Sequence, residues 1–158
     1  MCRVVKPVRD SMKVSGICLM VLICAVALIS GVSAQSLENN AGYVVTPAQN
    51  LQLPSVVRPM SIGTIGQGQT VWYSKYVSPG TSSLTTDLNW GDPATSLTLT
   101  IVAPDATLGP FNDASDGTTN GRIYLSVSKS TGLTAGTWNF KIYGERVMGV
   151  TSYSFAAM

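Results

Sequence analysis

The chain has 158 residues, enough for one domain and an appendage, and ten Lys and Arg stand against eight Asp and Glu. Residues 35–158 hold six bases and seven acids, a net charge of about −1 (6 minus 7), and no basic stripe, which argues against nucleic acid as a partner. The chain has no histidine and its three cysteines all lie before residue 25, which excludes disulfides, thiolate metal sites and Ser-His-Asp or Cys-His catalysis from the rest of it.

The N-terminus has the order of a secretory signal. Basic residues at positions 3, 6, 9 and 13 precede an uncharged apolar run from Ile17 to Ile29, and the small residues Gly31 to Ala34 follow. We predict a helical signal peptide over residues 1–34, cleaved after Ala34, and therefore a secreted or cell-surface protein. The alternative is a retained membrane anchor, because the stretch Val14–Val32 approaches the roughly 20 residues that span a bilayer.

Residues 35–60 show little periodicity. Three prolines and two pairs of turn-forming residues recur in this stretch, which predicts a linker or an extended arm that packs on the domain. The apolar groups Tyr43–Val45 and Val56–Val57 are each long enough to add an edge strand.

From residue 61 to 158 apolar residues alternate with Thr, Ser, Asn and Lys, the pattern of strands with one buried face. Turns rich in Gly, Pro and Asn separate the runs, and no window has helical periodicity. This pattern predicts an all-β domain, a two-sheet antiparallel β-sandwich of jelly-roll-like type. The residues expected to face the core are Leu84, Thr86, Leu88 and Trp90; Leu97, Leu99, Ile101 and Ala103; Ile123, Leu125 and Val127; Trp138, Phe140 and Ile142; and Tyr153 and Phe155.

The run Val71–Val77 is ambiguous. Val71, Tyr73, Lys75 and Val77 share one side, and Trp72, Ser74 and Tyr76 share the other. Because a buried lysine is costly, we predict that Trp72 and Tyr76 point inward, with a bulge near Val77.

Three local patterns lie within about the last 90 residues of the chain. The first is Gly68–Tyr73 leading to Val77–Gly80, the second is Leu84–Leu88 with Gly91–Pro93 and Leu97–Ile101, and the third is Gly136–Gly144 with Gly149–Tyr153. In that order they resemble the opening strand and turn, the centre and the closing strand pair of the bacterial and archaeal pre-peptidase C-terminal (PPC) domain.

The resemblance implies an accessory domain of secreted proteases, which acts as a removable processing segment or binds matrix or polysaccharide. Only the linker precedes the domain in this sequence, so we expect the accessory module without its enzyme. The family often has a second acid before the core strand, where this chain has Thr95-Ser96, and this departure weakens any metal site inferred from the resemblance.

Calcium is the metal that the acidic residues favour. The loop Asn112–Gly117 carries Asp113 and Asp116, and Asp87 and Asp92 are expected at the same end of the sandwich. Carboxylate and carbonyl oxygens are the ligands that Ca²⁺ prefers. The alternative, which we favour, is that these residues form turns by bonding their own backbone.

The aromatic residues Trp72, Trp90, Trp138, Tyr124, Tyr143 and Tyr153 include candidates for a sugar-stacking surface. Trp138 alternates with core residues, whereas Trp90 lies at a strand end beside Gly91. Trp90 is therefore the best candidate for an exposed, ligand-binding aromatic, although a structural role is favoured for it too.

The sequence indicates a non-catalytic module that contacts an extracellular or envelope polymer, a polysaccharide or a protein. The alternative is a processing or chaperone-like segment that partners a separately encoded secreted protein. A hydrolase with paired carboxylates, drawn from the same four aspartates, is a remote alternative, because none of them lies in a recognisable motif.

Overall fold

The structure, a computed structural model, describes residues 38–48 and 61–158. Within these ranges no helix is long and apolar enough to cross a membrane. The predicted leader and the group Val56–Val57 lie outside the described residues. The described part forms strands β1 (Glu38–Asn40), β2 (Tyr43–Pro47), β3 (Ser61–Gly66), β4 (Thr70–Val77), β5 (Ser83–Asn89), β6 (Ser96–Val102), β7 (Thr107–Phe111), β8 (Arg122–Lys129), β9 (Gly136–Arg146) and β10 (Val150–Ala157), with a 3₁₀ helix at Asp113–Asp116.

The strands form two antiparallel sheets, and the predicted β-sandwich is confirmed. One sheet has the order β1-β2-β8-β5-β10-β3, and the other has the order β4-β9-β6-β7. The pairings are nested: β6 pairs with β7, β5 with β8, β4 with β9 and β3 with β10. Successive nested pairs alternate between the sheets, so strands β3–β10 form one long antiparallel ribbon rolled up as a jelly roll.

The core lies between the two sheets and consists of the alternating apolar residues. Every residue that the sequence predicted to face inward in β5, β6, β8, β9 and β10 is buried. Phe140 of one sheet lies 5.3 Å from Phe155 of the other, measured between ring centroids, and the ring of Tyr73 stacks on Phe155 at 5.1 Å. The two apolar faces therefore close on each other, as the period-two pattern predicts.

The sandwich begins before residue 61. A strand forms at Tyr43–Val45 as predicted, but it is not an edge strand, because β2 pairs with β1 on one side and with residues 125–129 of β8 on the other. The side chains of Tyr43 and Val45 are fully buried in the core. Strands β1 and β2 are thus part of the six-stranded sheet.

A polar network holds β2 against the turn that precedes β7. The Tyr43 hydroxyl donates a 2.6 Å hydrogen bond to Asp105 Oδ1, and the Lys129 ammonium and the Thr134 hydroxyl donate to Asp105 Oδ2 at 2.9 and 2.8 Å. The Tyr43 hydroxyl, together with Lys129 and Thr134, lowers the pKa of Asp105 to about 2. The ring of Tyr43 meets Trp138 edge-on at 5.5 Å, so the network also borders the core.

The orientation predicted for β4 is wrong. Trp72 and Tyr76 are 55% and 64% exposed, and Val71, Tyr73 and Val77 face the core. The pairing of β4 with β9 is continuous from Thr70 to Val77, and the register instead shifts within β6. Because β4 is an edge strand, the inward-facing Lys75 is only half-buried, and a lysine can lay its aliphatic stem on the apolar edge while its ammonium stays in water.

The hydroxyl of Thr86 is the one fully buried side-chain group in the described ranges without a hydrogen-bond partner. We expect Thr86→Val to raise the free energy of unfolding by about 1 kcal/mol, because valine has the same shape and removes an unpaired polar group. Thr85→Val, at the outward-facing neighbour, is the control and should change stability little. Urea denaturation measures both, and a loss of stability in Thr86→Val would contradict the assignment.

Asp105 gives a pH-dependent prediction. Because its pKa is lowered in the folded state, its stabilisation is present above its unfolded pKa, about 3.9, and is lost as the pH falls through about 2. Asp105→Asn should lower stability at pH 7 by about 1 kcal/mol, a value discounted for solvent screening because this side chain is 37% exposed. Urea denaturation between pH 7 and pH 2 should show the difference in unfolding free energy between the parent protein and Asp105→Asn shrinking toward the acid end. In a Tyr43→Phe background, the difference that Asp105→Asn makes at pH 7 should be smaller.

Candidate functional site

Asp113 lies at the end of the sandwich and is 8% exposed. Its carboxylate accepts hydrogen bonds from three consecutive backbone N–H groups, those of Asn120, Gly121 and Arg122, at 3.0–3.2 Å. Gly121 is required in this loop, because its φ is +78° and a Cβ there would overlap the backbone of Gly91 and Asp92, which packs against it. Asp113 thus fixes the loop before β8 by satisfying the donors of that loop.

Asp116 and Asp87 are held near the same strand start. Asp116 accepts from the backbone N–H groups of Thr118 and Tyr124, both at 3.0 Å. Burial raises the pKa of the Asp116 carboxyl, and the nearby Asp113 carboxylate adds to the rise, although the two hydrogen bonds lower the pKa in part. Asp87 forms a bidentate pair with Arg122, with distances of 2.7 Å to Nε and 2.8 Å to the terminal nitrogen.

Arg122 is the centre of this group, and the sequence analysis missed it. Its guanidinium binds Asp87 and lies over the ring of Tyr124, 4.3 Å from the ring centroid. Hydrogen bonding to Asp87 raises the pKa of Arg122 further above its ordinary value. The signal available in the sequence was a basic residue at the first position of one predicted strand and a single acid, Asp87, within another.

Asp92 makes a turn on the surface. Its Oδ1 accepts from the backbone N–H of Ala94 at 2.9 Å, and its Oδ2 accepts from the hydroxyl of Thr95 at 2.8 Å. These two hydrogen bonds lower the pKa of Asp92. This is the turn-forming use of aspartate that the sequence analysis gave as the alternative to metal binding.

The four aspartates predicted as calcium ligands therefore all have protein partners. Three of them surround the start of β8, and Asp92 is adjacent in space through the contact of Gly121 with Gly91. Among residues 38–48 and 61–158 no group of three or more acidic, histidine or cysteine side chains has a geometry that could hold a metal ion. Calcium binding stays a prediction.

Trp90 is buried rather than exposed. Only 8% of the residue is accessible, and its indole N–H donates to the carbonyl oxygens of Asp92 at 2.8 Å and Thr95 at 3.1 Å. The indole closes the end of the core and anchors the loop 91–95. Ligand binding by Trp90 stays a prediction, and it requires a contact with the small part of the ring that solvent reaches.

The outward face of the four-stranded sheet carries the exposed aromatic residues of β4. Trp72 lies across from Lys141, Ser74 from Asn139 and Tyr76 from Thr137. In the next strand Thr100 and Thr98 lie across from Lys141 and Tyr143. We call this surface the outer platform; it comprises Trp72, Ser74, Tyr76, Thr98, Thr100, Thr137, Asn139, Lys141 and Tyr143.

The outer platform combines aromatic rings with short neutral polar groups. Trp72 and Tyr76 are four residues apart on one strand, a spacing of roughly 13 Å along the sheet. The ammonium of Lys141 lies 5.9 Å from the centroid of the Tyr143 ring. Exposed rings stack on the apolar face of a sugar, and hydroxyl and amide groups bind its hydroxyls, so the surface is chemically suited to an uncharged polymer.

Comparisons with known proteins give no family for the chain. No family model matches it. No curated protein matches it either. The resemblance to the PPC domain therefore stays a prediction made from the local patterns.

Asp113 offers a test of the loop at the start of β8. Asp113→Asn should lower the free energy of unfolding by about 1–3 kcal/mol, because the amide removes the negative charge at which the three N–H groups point and turns a donor toward the N–H of Gly121, which also bonds Oδ2. Asp92→Asn is the matched control and should cost less, since Asp92 is exposed. Chemical denaturation of both variants measures the difference, and equal losses would contradict the role given to Asp113.

Thermal unfolding with added calcium tests the metal prediction for these aspartates. An ion that binds only the folded protein raises the melting temperature with its concentration. We expect millimolar calcium to leave the melting temperature unchanged, because the four carboxylates already accept hydrogen bonds from the protein. A concentration-dependent rise that Asp113→Asn and Asp116→Asn abolish would instead establish the calcium site.

Proposed function

We propose that this protein is a non-catalytic module, secreted or held at the cell surface, that binds an extracellular or envelope polysaccharide through the outer platform. The single observation that carries the proposal is the exposure of Trp72 and Tyr76 on one sheet face. Large exposed aromatic residues close together are uncommon on a protein that has no partner for them.

The composition of the outer platform supports a neutral polymer rather than a charged one. Of its nine residues, Lys141 alone is charged, and the others are aromatic, hydroxyl or amide residues. Interfaces that recognise nucleic acid need many phosphate-neutralising bases, and this surface has one. A flat face with rings roughly 13 Å apart along a strand suits an extended chain that contacts both rings.

The proposed role is non-catalytic because of the side chains that the chain offers. The chain has no histidine, and no cysteine beyond position 24, which leaves carboxylates, lysines and tyrosines as the available acids and bases, and the carboxylates as the pair that hydrolases use. Asp87, Asp92, Asp113 and Asp116 are each engaged by donors of the fold, and in these positions they orient loops. A binding role, unlike a catalytic one, does not require these carboxylates to be free.

The resemblance to the PPC domain supports the same proposal, since modules of that family accompany secreted proteins and bind matrix or polysaccharide. The predicted leader supports export. If the leader is retained, the proposal becomes a membrane-anchored module that presents the outer platform to the envelope or the exterior.

Retention on insoluble polysaccharides tests the proposal. The purified protein should be retained by at least one member of a panel of cellulose, chitin, xylan and peptidoglycan. Trp72→Ala and Tyr76→Ala should each weaken retention roughly three- to tenfold, because each removes one stacking ring from the surface. Binding isotherms on the retained polymer give the affinities.

Met148→Ala and Val150→Ala are matched controls, since both residues are apolar, exposed and outside the outer platform. Both should bind like the parent protein. Unchanged retention of a Trp72→Ala/Tyr76→Ala double variant would overturn the assignment of the surface. Capture of a secreted protein, with no retention on any polysaccharide, would favour the processing or chaperone-like alternative.

A further inference from the structure

In the part of the chain that the structure describes, the two sheets have four edge strands, β1, β3, β4 and β7. Three of these edges carry features that oppose the addition of another strand. β4 has the inward-facing Lys75, β7 contains Pro110, which has no N–H, and β1 is three residues long and begins with Glu38. β3 differs from them, because Ser61–Gly66 contains no charge and no proline, and its register with β10 is continuous.

The outer edge of β3 presents the backbone groups of Ile62 and Thr64. In an antiparallel strand the N–H and C=O of one residue point to one neighbouring strand, and those of the next residue point to the other. Gly66 directs both groups away from β10, because its N–H donates to Gln69 Oε1 at 2.7 Å and its carbonyl accepts from the Gln69 N–H at 3.2 Å. Thr64 and Ile62, two and four residues earlier, therefore point the same way. Within the described ranges no strand pairs with them on that side, and Ile62 is 76% exposed.

β3 is also the outermost strand on this side of the sandwich. The Tyr73 ring of β4 contacts the rings of Tyr153 and Phe155, which belong to β10. The edge strand of the four-stranded sheet therefore lies against β10, and β3 is the next strand outward in the six-stranded sheet. A molecule that approaches this side meets the backbone of β3 first.

We propose that β3 pairs in antiparallel orientation with β3 of a second copy of this chain, around a two-fold axis that passes through Gly63. In this register Ile62 of each copy lies opposite Thr64 of the other, and the two residues exchange N–H···O=C hydrogen bonds. The two pairs give about four hydrogen bonds. Gly63 lies opposite its own copy, and the fold itself requires a glycine there, because a Cβ would lie 2.8 Å from the Tyr153 hydroxyl oxygen.

The edge is complementary to itself. No charge lies on β3 or on the outward-facing Val150, Ser152 and Ser154 of β10 beside it, so two identical edges meet without repulsion. Pairing also removes part of the exposed Ile62 side chain from water. An edge that offers the backbone of two residues gives an unrelated peptide little to recognise, whereas the symmetric pair uses Ile62 and Thr64 twice each.

Pairing through β3 has a consequence that rests on the proposed function. A two-fold axis perpendicular to the six-stranded sheet keeps the outer platforms of both copies on the same side of the dimer. Two platforms that reach one polymer bind more tightly than one, because the second contact is intramolecular. The dimer forms without polymer, so its measurement is independent of the retention experiment, and either proposal can fail alone.

Amide hydrogen exchange of the purified protein at increasing concentration tests the pairing. Between roughly 20 µM and 1 mM the exchange of the Ile62 and Thr64 amides should slow about fivefold, because these amides are bonded only in the dimer. The amides of Gly63 and Ile65, which point to β10, are the internal reference and should keep their rates. Sedimentation over the same range should show the mass approaching that of two chains. Unchanged exchange at Ile62 and Thr64 would overturn the proposal, even if another surface makes the protein dimeric.

Variants of the edge and of its neighbour separate the contact from the fold. Thr64→Pro removes a donor that points away from β10, so the ladder of the sheet is kept and the protein should stay monomeric. Ile62→Lys leaves the backbone unchanged and brings like charges close to the axis, which should weaken association at least about tenfold. Val150→Lys adds the same charge one strand further in and should associate like the parent protein.

Thermal unfolding verifies that each variant is folded. Association of Ile62→Lys as tight as that of Val150→Lys would refute the pairing through β3. Protection of the Ile62 and Thr64 amides that requires a different added protein would assign the edge to a foreign strand and refute the dimer.

Discussion

The contact between the two sheets is the constraint on which the rest of the structure depends. Phe140 and Phe155 meet from opposite sheets, and the ring of Tyr73 stacks on Phe155 at the same place. Because side chains alternate along a strand, burying one face of each sheet commits every second residue to the outside. The outer faces and the ends of the sandwich are what remain for binding.

The ends of this disulfide-free sandwich are closed by carboxylates. Asp105 joins β2 to the turn before β7 through Tyr43, and Asp113 joins the loop before β8 through three backbone donors. A buried N–H without a partner costs free energy, so an aspartate that accepts two or three such bonds stabilises a loop which would otherwise have to remain in water. The same oxygens are then less available for a metal ion.

The sequence predicts the layers well and the surfaces poorly, and the difference has a physical reason. In β5, β6, β8, β9 and β10 the apolar set on one side is uninterrupted, and burial follows it. In β4 both sides carry large apolar residues, so the predicted orientation depended on the cost of burying the charge of Lys75. That cost applies in a central strand, whereas β4 is an edge strand, where the lysine ammonium can reach water. Strand order is a long-range property that the local sequence pattern does not encode.

The outer platform was only partly anticipated for the same reason. Trp72 and Tyr143 were among the aromatic candidates, but orienting β4 inward placed Trp72 and Tyr76 in the core. Trp90 is buried, as its place in the alternation of β5 predicts, because the loop 91–95 folds back and supplies two carbonyl oxygens to the indole N–H. The calcium prediction rested on acidic residues near each other in sequence, yet the donors that engage them come from β8 and its preceding loop.

The position of β4 at the edge of its sheet also bears on what can contact the outward-facing Trp72 and Tyr76. A regular edge strand with exposed aromatic residues invites pairing with another chain. Lys75 opposes that outcome, since an inward-facing lysine at an edge would be buried without a counter-charge if a further strand were added. The strand is thus protected along its backbone edge and apolar on its outward face. That combination favours a ligand which lies across the face over a strand which extends the sheet.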